Sequence, residues 1–136
     1  MNRLPSRTDA VGLAAAGVAL LAGVAVWPRL PEQMVIHVSV TGSPDGSIAR
    51  PLGIAVLPVC LVVTLGINRW ATRVDPPADD GTASAVSLAT TGLFVGLQAV
   101  VLAWNLDYQL PAGLLLPAVL SWGAVLVAYV LARERR

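Results

Sequence analysis

The chain reads as four long apolar runs separated by short stretches that carry nearly all of its charge. By hydrophobicity the runs lie at about 10–27, 51–70, 84–104 and 112–132. Each is roughly 17 to 21 residues long, enough at ~1.5 Å per residue to cross ~30 Å of hydrocarbon as a helix. The predicted architecture is an all-α membrane protein, a single integral domain over 1–136 with four transmembrane helices. Asp9 or Thr8 is placed to cap the first helix and Pro28 to stop it, while Pro51 suits the opening of the second. Pro58 falls inside the second run, where its ring removes the donor that would serve the Ile54 carbonyl. That carbonyl needs another partner, and a kink is expected there. Pro117 sits early in the fourth run and is expected to bend its first turns. The short link at 105–111 requires helices 3 and 4 to form an antiparallel hairpin.

The connectors differ in character. The one at 28–50 has a pattern of its own: Met34, Ile36, Val38 and Val40 alternate with Val35, His37, Ser39 and Thr41, the period-two signature of an extended strand with one apolar edge. Gly42, Ser43, Pro44, Asp45 and Gly46 then predict a turn. The connector at 71–83 is polar, with paired prolines and Asp75, Asp79 and Asp80, and predicts a loop.

Composition supports the membrane assignment. Hydrophobic residues make up 56% and charged residues 12%, about half the charge of a soluble domain. A net charge of +1 leaves no electrostatic footprint for nucleic acid. All nine basic residues are Arg. Arg3, Arg7, Arg69, Arg73, Arg133, Arg135 and Arg136 fall on one side, against Arg29 and Arg50 on the other. The positive-inside rule then predicts a multi-pass cell-membrane protein with both termini in the cytoplasm, an extracytoplasmic loop at 28–50 and a cytoplasmic loop at 71–83. Trp27, Trp104 and Tyr108 would mark the outer interface, Trp70 and Tyr129 the inner one. A cleaved signal peptide is the competing reading of the first run, with Arg3 and Arg7 ahead of it and Gly23, Val24 and Ala25 as a small-residue site. Against it, the run exceeds the ~7 to 15 residues of a signal core and ends in Trp27.

Candidate chemistry inside the membrane is sparse. None of the four runs carries an acidic, basic or His residue in its interior, which argues against an ion pump. Neither His nor Met is placed to ligate haem there, and no cofactor is expected. In the third run Ala85, Ala89, Gly92 and Gly96 continue into Ala99 and Ala103 as a small-residue stripe. Ala15, Ala19 and Gly23 repeat it more weakly in the first. The stripe has two readings, packing within the bundle and homodimerisation. Gln98 suits a hydrogen bond between helices, or a polar pocket with Trp122 beside the Pro58 kink. In the loop, His37 has a metal-binding or pH-switching reading and a structural one, holding the turn through Asp45 or a backbone carbonyl. A lone His without a second His or a Cys beside it supplies too few ligands for zinc. No nucleophile with its base, phosphate-binding glycine loop or carboxylate pair is present, so the expectation is a protein that is not an enzyme.

The loop motif has a likeness. Leu30, Pro31, His37, Gly42, Pro44, Asp45 and Arg50, followed by Pro58 in the next helix, resemble a family of prokaryotic membrane proteins of unknown function. The same module forms the N-terminal part of SdpI-like immunity proteins. Val35 stands where that pattern has Pro, Val38 stands where it has an aromatic, and the aromatic usual after the turn is missing. The resemblance covers roughly the first half of the chain. It implies a role in immunity or signal sensing, with a secreted peptide meeting the outer loop and a cytoplasmic repressor meeting the inner loop or the tail. An accessory subunit packed against a larger membrane transporter or respiratory complex is the alternative.

Overall fold

The computed structural model describes residues 6–39, 41, 43–77, 79–108 and 110–135, with the side chains of Asp80 and Ala112 left aside. Val40 and Gly42 of the loop motif, and Arg3 and Arg136 of the charge count, lie outside the described residues.

Four helices are long and apolar enough to cross a membrane: α1 (Arg7–Ala25), α2 (Arg50–Val74), α3 (Asp80–Asn105) and α4 (Ala112–Glu134). Between α1 and α2 come a single 3-10 turn, Trp27–Arg29, and a two-stranded antiparallel sheet, β1 (Gln33–Val38) with β2 (Pro44–Ala49). The ends of α1 and α3 and the starts of α2 and α4 therefore share one end of the molecule with the sheet. The described start and finish of the chain share the other.

Capping explains the boundaries. Ser6, one turn ahead of the residues expected to cap α1, accepts from the Asp9 amide, and Asp9 answers from its carboxylate to the Ser6 amide in a reciprocal capping box. Asp79 caps α3 through the Gly81 amide, so α3 begins four residues earlier than its apolar run. At the other end α3 is closed by Asp107, whose φ of 65° lies in the left-handed region open to Asp. α2 runs past its apolar stretch to Val74, which shortens the expected loop at 71–83 to residues 75–79. Hydropathy ends where the bilayer would end, whereas the backbone ladder continues wherever good helix formers follow.

α1, α2 and α3 pack on one another, and α4 has α3 as its substantial partner. The four helices thus do not share one core. From Gly113 onward α4 has no buried residue. Between lipid-covered helices, association rests on small residues that allow close approach and on polar side chains that bond across. α1 supplies the first with Gly12, Ala16, Ala19 and Gly23, all buried. A Cβ at Gly23 would lie 2.8 Å from Ile54 Cβ, and one at Gly12 2.5 Å from Leu65 Cδ1. α3 supplies the second. α4 has small residues as well, but nothing lies within 4 Å of a Cβ at Gly113 or Gly123, so they do not bring a neighbouring helix close.

Two apolar clusters fill the core: Ala16, Leu61 and Leu65 with Phe94 within the helices, and Leu30, Met34, Ile54 and Leu102 where the sheet meets them.

Candidate functional site

The sheet-bearing end is built around Met34, the first inward residue of β1, which is fully buried. It lies on the opening turn of α2 at Gly53, where a Cβ would stand 2.7 Å from Met34 Sδ and 2.9 Å from Met34 Cβ. Only glycine admits β1 this closely. Leu30, from the motif, is buried in the same cluster.

The expected single strand followed by a turn at 42–46 is in fact a hairpin whose reversal lies earlier. Pro44, Asp45 and Gly46 belong to β2, in register with Val38 and His37. The reversal is closed by Ser39, whose amide donates to the Ser43 carbonyl at 2.9 Å and whose Oγ accepts from the Ser43 amide at 3.2 Å. Pro44 opens β2, a strand position that tolerates a missing donor. The register shifts on both sides of His37, and Gly46 opposite it keeps the backbone close, since a Cβ there would meet His37 Cβ at 3.0 Å.

His37 Nδ1 pairs with Asp45 Oδ1 across the hairpin. The two side chains are 71% and 45% exposed, so the pair sits on the open face. Among the described residues no third His, Cys, Asp or Glu joins them as a metal ligand would. The pair bridges the strands and presents an imidazole and a carboxylate outward.

Arg50, the first residue of α2, holds the approach to the hairpin. Its Nε donates to the Pro31 carbonyl at 3.1 Å and its Nη1 to the Trp27 carbonyl at 3.3 Å, while the guanidinium lies 5.3 Å from the Trp27 ring centre. Its amide donates to the Glu32 carbonyl at 2.8 Å. The basic residue and the Leu-Pro pair of the motif therefore meet in space, the guanidinium serving the Pro31 carbonyl and adding a second donor to the Trp27 carbonyl, which also accepts from the Leu30 amide.

Asn105 is the residue that the apolar pattern misses. Its Oδ1 accepts from the Val35 amide at 2.8 Å and its Nδ2 donates to the Val35 carbonyl at 2.8 Å, as a neighbouring strand would. Nδ2 also reaches the Val101 carbonyl at 2.8 Å. A side chain of α3 thus seals one edge of β1. The available signal was a repeat of seven: Thr91, Gln98 and Asn105, with Ser87 four before Thr91, form a buried polar seam on α3. This helix turns its polar positions inward.

Gln98 Nε2 donates to the Ile54 carbonyl at 3.1 Å, and its Oε1 is buried without a partner among the described residues. Trp122 lies on another side of α3. It is 45% exposed, and its ring is the nearest group to Gly92, 3.8 Å from where a Cβ would stand. Gln98 thus faces α2, and Trp122 sits on α4 beside Gly92 of α3. Along the small-residue stripe, Ala85 and Ala89 are half-buried, whereas Gly92 and Gly96 are exposed and nothing lies within 4 Å of a Cβ at Gly96.

Residues 14–62, well under half of the chain, match the family described as Domain of unknown function (DUF1648). The match runs from the first half of α1 through the hairpin to the middle of α2. The "Uncharacterized membrane protein YbgB" of Bacillus subtilis (strain 168) is 35% identical over 57 residues, which is 42% of this chain and 58% of that protein. The chain thus spans little more than half the length of that curated relative. No solved structure matches. The first half of the chain is therefore similar to membrane proteins of unknown function, and the four candidate spans agree with a multi-pass membrane protein. Gln98 and Asn105 lie beyond the matched family segment.

Proposed function

We propose that the protein is a non-enzymatic, multi-pass cell-membrane protein of the immunity and signal-sensing type, with the β1–β2 hairpin as an extracytoplasmic recognition surface and both termini in the cytoplasm. The observation that carries this reading is the mounting of the hairpin. Met34 in its slot against Gly53, Asn105 along the β1 edge and Arg50 beneath the Leu-Pro turn fix its base, while His37 and Asp45 stay open to solvent. A fixed base with an exposed polar face suits a surface that meets another molecule. The resemblance of the Leu30 to Pro58 motif to SdpI-like immunity proteins supplies the class of partner, a secreted peptide. Orientation rests on the excess of Arg at the end opposite the hairpin.

The test is deletion of the gene, followed by challenge with culture supernatants of competing strains and a transcript profile of adjacent genes. Greater sensitivity to a secreted peptide, or altered expression of a neighbouring regulator, is the expected result. Unchanged sensitivity together with unchanged transcription contradicts it.

A second reading, an accessory subunit of a larger membrane transporter or respiratory complex, is favoured by one observation. α4 is unburied along its length, and α3 leaves Gly96 open. Recovery of a large integral complex in stoichiometric amount after mild-detergent purification supports this reading, and recovery of a lone monomer or dimer opposes it.

A further inference from the structure

At the end opposite the hairpin the helix ends line an open cleft of about 1180 Å³. Its walls are the start of α1, the last turns of α2, the connector at 75–77, the first turns of α3 and the last turns of α4. Its lining mixes polar and charged side chains with apolar ones, whereas the helix surface elsewhere exposes mainly large apolar residues. Thr82 and Ser87 line it and are each more than nine-tenths buried. Asn68 lines the α2 side, and its Nδ2 is buried with no partner among the described residues. Ser87 lies seven residues into α3, so at ~1.5 Å per residue the cleft reaches ~10 Å below the helix end. Ser87 is only three residues inside the apolar run that begins at 84, so the cleft bottoms where polar sequence gives way to membrane-spanning sequence.

Both charge signs meet there. Arg69 Nη1 pairs with Asp9 Oδ2 at 2.9 Å, with both side chains largely sheltered, and this pair makes one wall. Arg73 lines the cleft as a further cation, and Asp75 and Glu134 line it as anions. Arg133 Nη1 donates to Asp79 Oδ2 at 3.1 Å and the Arg133 Cζ lies 5.4 Å from the Tyr129 ring centre, so an ion pair links the end of α4 to the start of α3 next to the cleft. Val86 and Val130 form an apolar side to the same space.

We propose that this cleft binds the headgroup of a zwitterionic phospholipid that carries a primary ammonium, a phosphoethanolamine lipid. The phosphate oxygens accept from the Asn68 amide, the cleft hydroxyls and Arg73. The ammonium donates to Asp75 or Glu134, and the acyl chains leave past Val86 and Val130. A purely anionic headgroup leaves the two rim carboxylates unanswered. A quaternary ammonium has no N–H to give them. The sheltered Asn68 donor requires an acceptor, which an isolated ammonium lacks.

The experiment uses the full chain, purified and freed of lipid, with native mass spectrometry against phosphatidylethanolamine, phosphatidylglycerol and phosphatidylcholine of identical acyl chains. Free phosphoethanolamine is the soluble competitor. The expected result is retention of phosphatidylethanolamine roughly tenfold above the other two. Asn68→Leu and Glu134→Gln should each reduce that retention, while Gly17→Ala, on open α1 surface, should not. Glu134 is exposed, so its variant keeps the test informative if Asn68→Leu fails to fold. Equal retention of all three lipids, or preference unchanged when Asp75→Asn and Glu134→Gln are combined, overturns the proposal. So does displacement by free phosphoethanolamine at concentrations matching the lipid, which assigns the cleft to a soluble zwitterion.

Discussion

Gln98 on α3 donates its amide hydrogen bond to the Ile54 carbonyl on α2, the acceptor that Pro58 leaves without an in-helix donor. A defect in one helix is thereby repaired by the side chain of another, and the repair joins the family-like first half of the chain to the second half. Both Gln98 and Pro58 are buried, so water has little part in the exchange.

The two positions should be coupled. Gln98→Leu is expected to cost about 0.6 kcal/mol and at most about 1.7 kcal/mol, the mean and maximum for hydrogen bonds between membrane helices. In a Pro58→Ala background the backbone amide restored at that position can serve Ile54, and the same Gln98→Leu change should cost markedly less. A double-mutant cycle of unfolding free energies in detergent micelles measures the difference, and strict additivity would show that the bond does not carry the contact.

Gly23 and Gly17 offer a paired test of the α1–α2 contact. A Cβ at Gly23 would stand 2.8 Å from the branched Cβ of Ile54, whereas nothing lies within 4 Å of one at Gly17. Gly23→Ala should destabilise by about 1 to 3 kcal/mol through overpacking. Gly17→Ala should be neutral or mildly stabilising through helix propensity. Thermal unfolding of the two variants side by side checks the contrast.

Asn105→Leu should release β1 from α3. It removes the donor and the acceptor that the side chain presents to Val35, at a local cost of about 1 to 3 kcal/mol. Amide exchange at Val35 should accelerate and protease cleavage at 39–43 should increase, with exchange in the middle of α2 unchanged. Equal acceleration throughout the chain would mean that Asn105 supports the whole fold rather than the hairpin.

How much of this was legible in the sequence depends on how local each cause is. Four spans follow from the thickness of a bilayer, and the unsatisfied Ile54 carbonyl follows from the ring of Pro58 four residues away. That carbonyl's partner depends on which face of α3 meets α2, which one-dimensional hydropathy does not contain. The same gap hid Asn105, since an Asn after Trp104 reads equally as the start of a loop. β2 was obscured for a different reason. Pro44, Asp45 and Gly46 have turn chemistry, yet pairing with Val38 and His37 draws them into a strand. The small-residue stripe was visible, but its exposure at Gly92 and Gly96 reflects the inward turn of the polar seam, which Ser87, Thr91, Gln98 and Asn105 set together.

The recognition reading requires the hairpin to lie outside the cytoplasm, and one labelling measurement addresses that directly. In a Cys60→Ser background, single cysteines are placed at Ser43→Cys, in the exposed hairpin reversal, and at Asp75→Cys, in the exposed connector after α2. Intact cells are then treated with a membrane-impermeant maleimide. The account predicts labelling at position 43 in intact cells and at position 75 only after permeabilisation. Labelling at position 75 in intact cells, with position 43 protected until the membrane is opened, would contradict it.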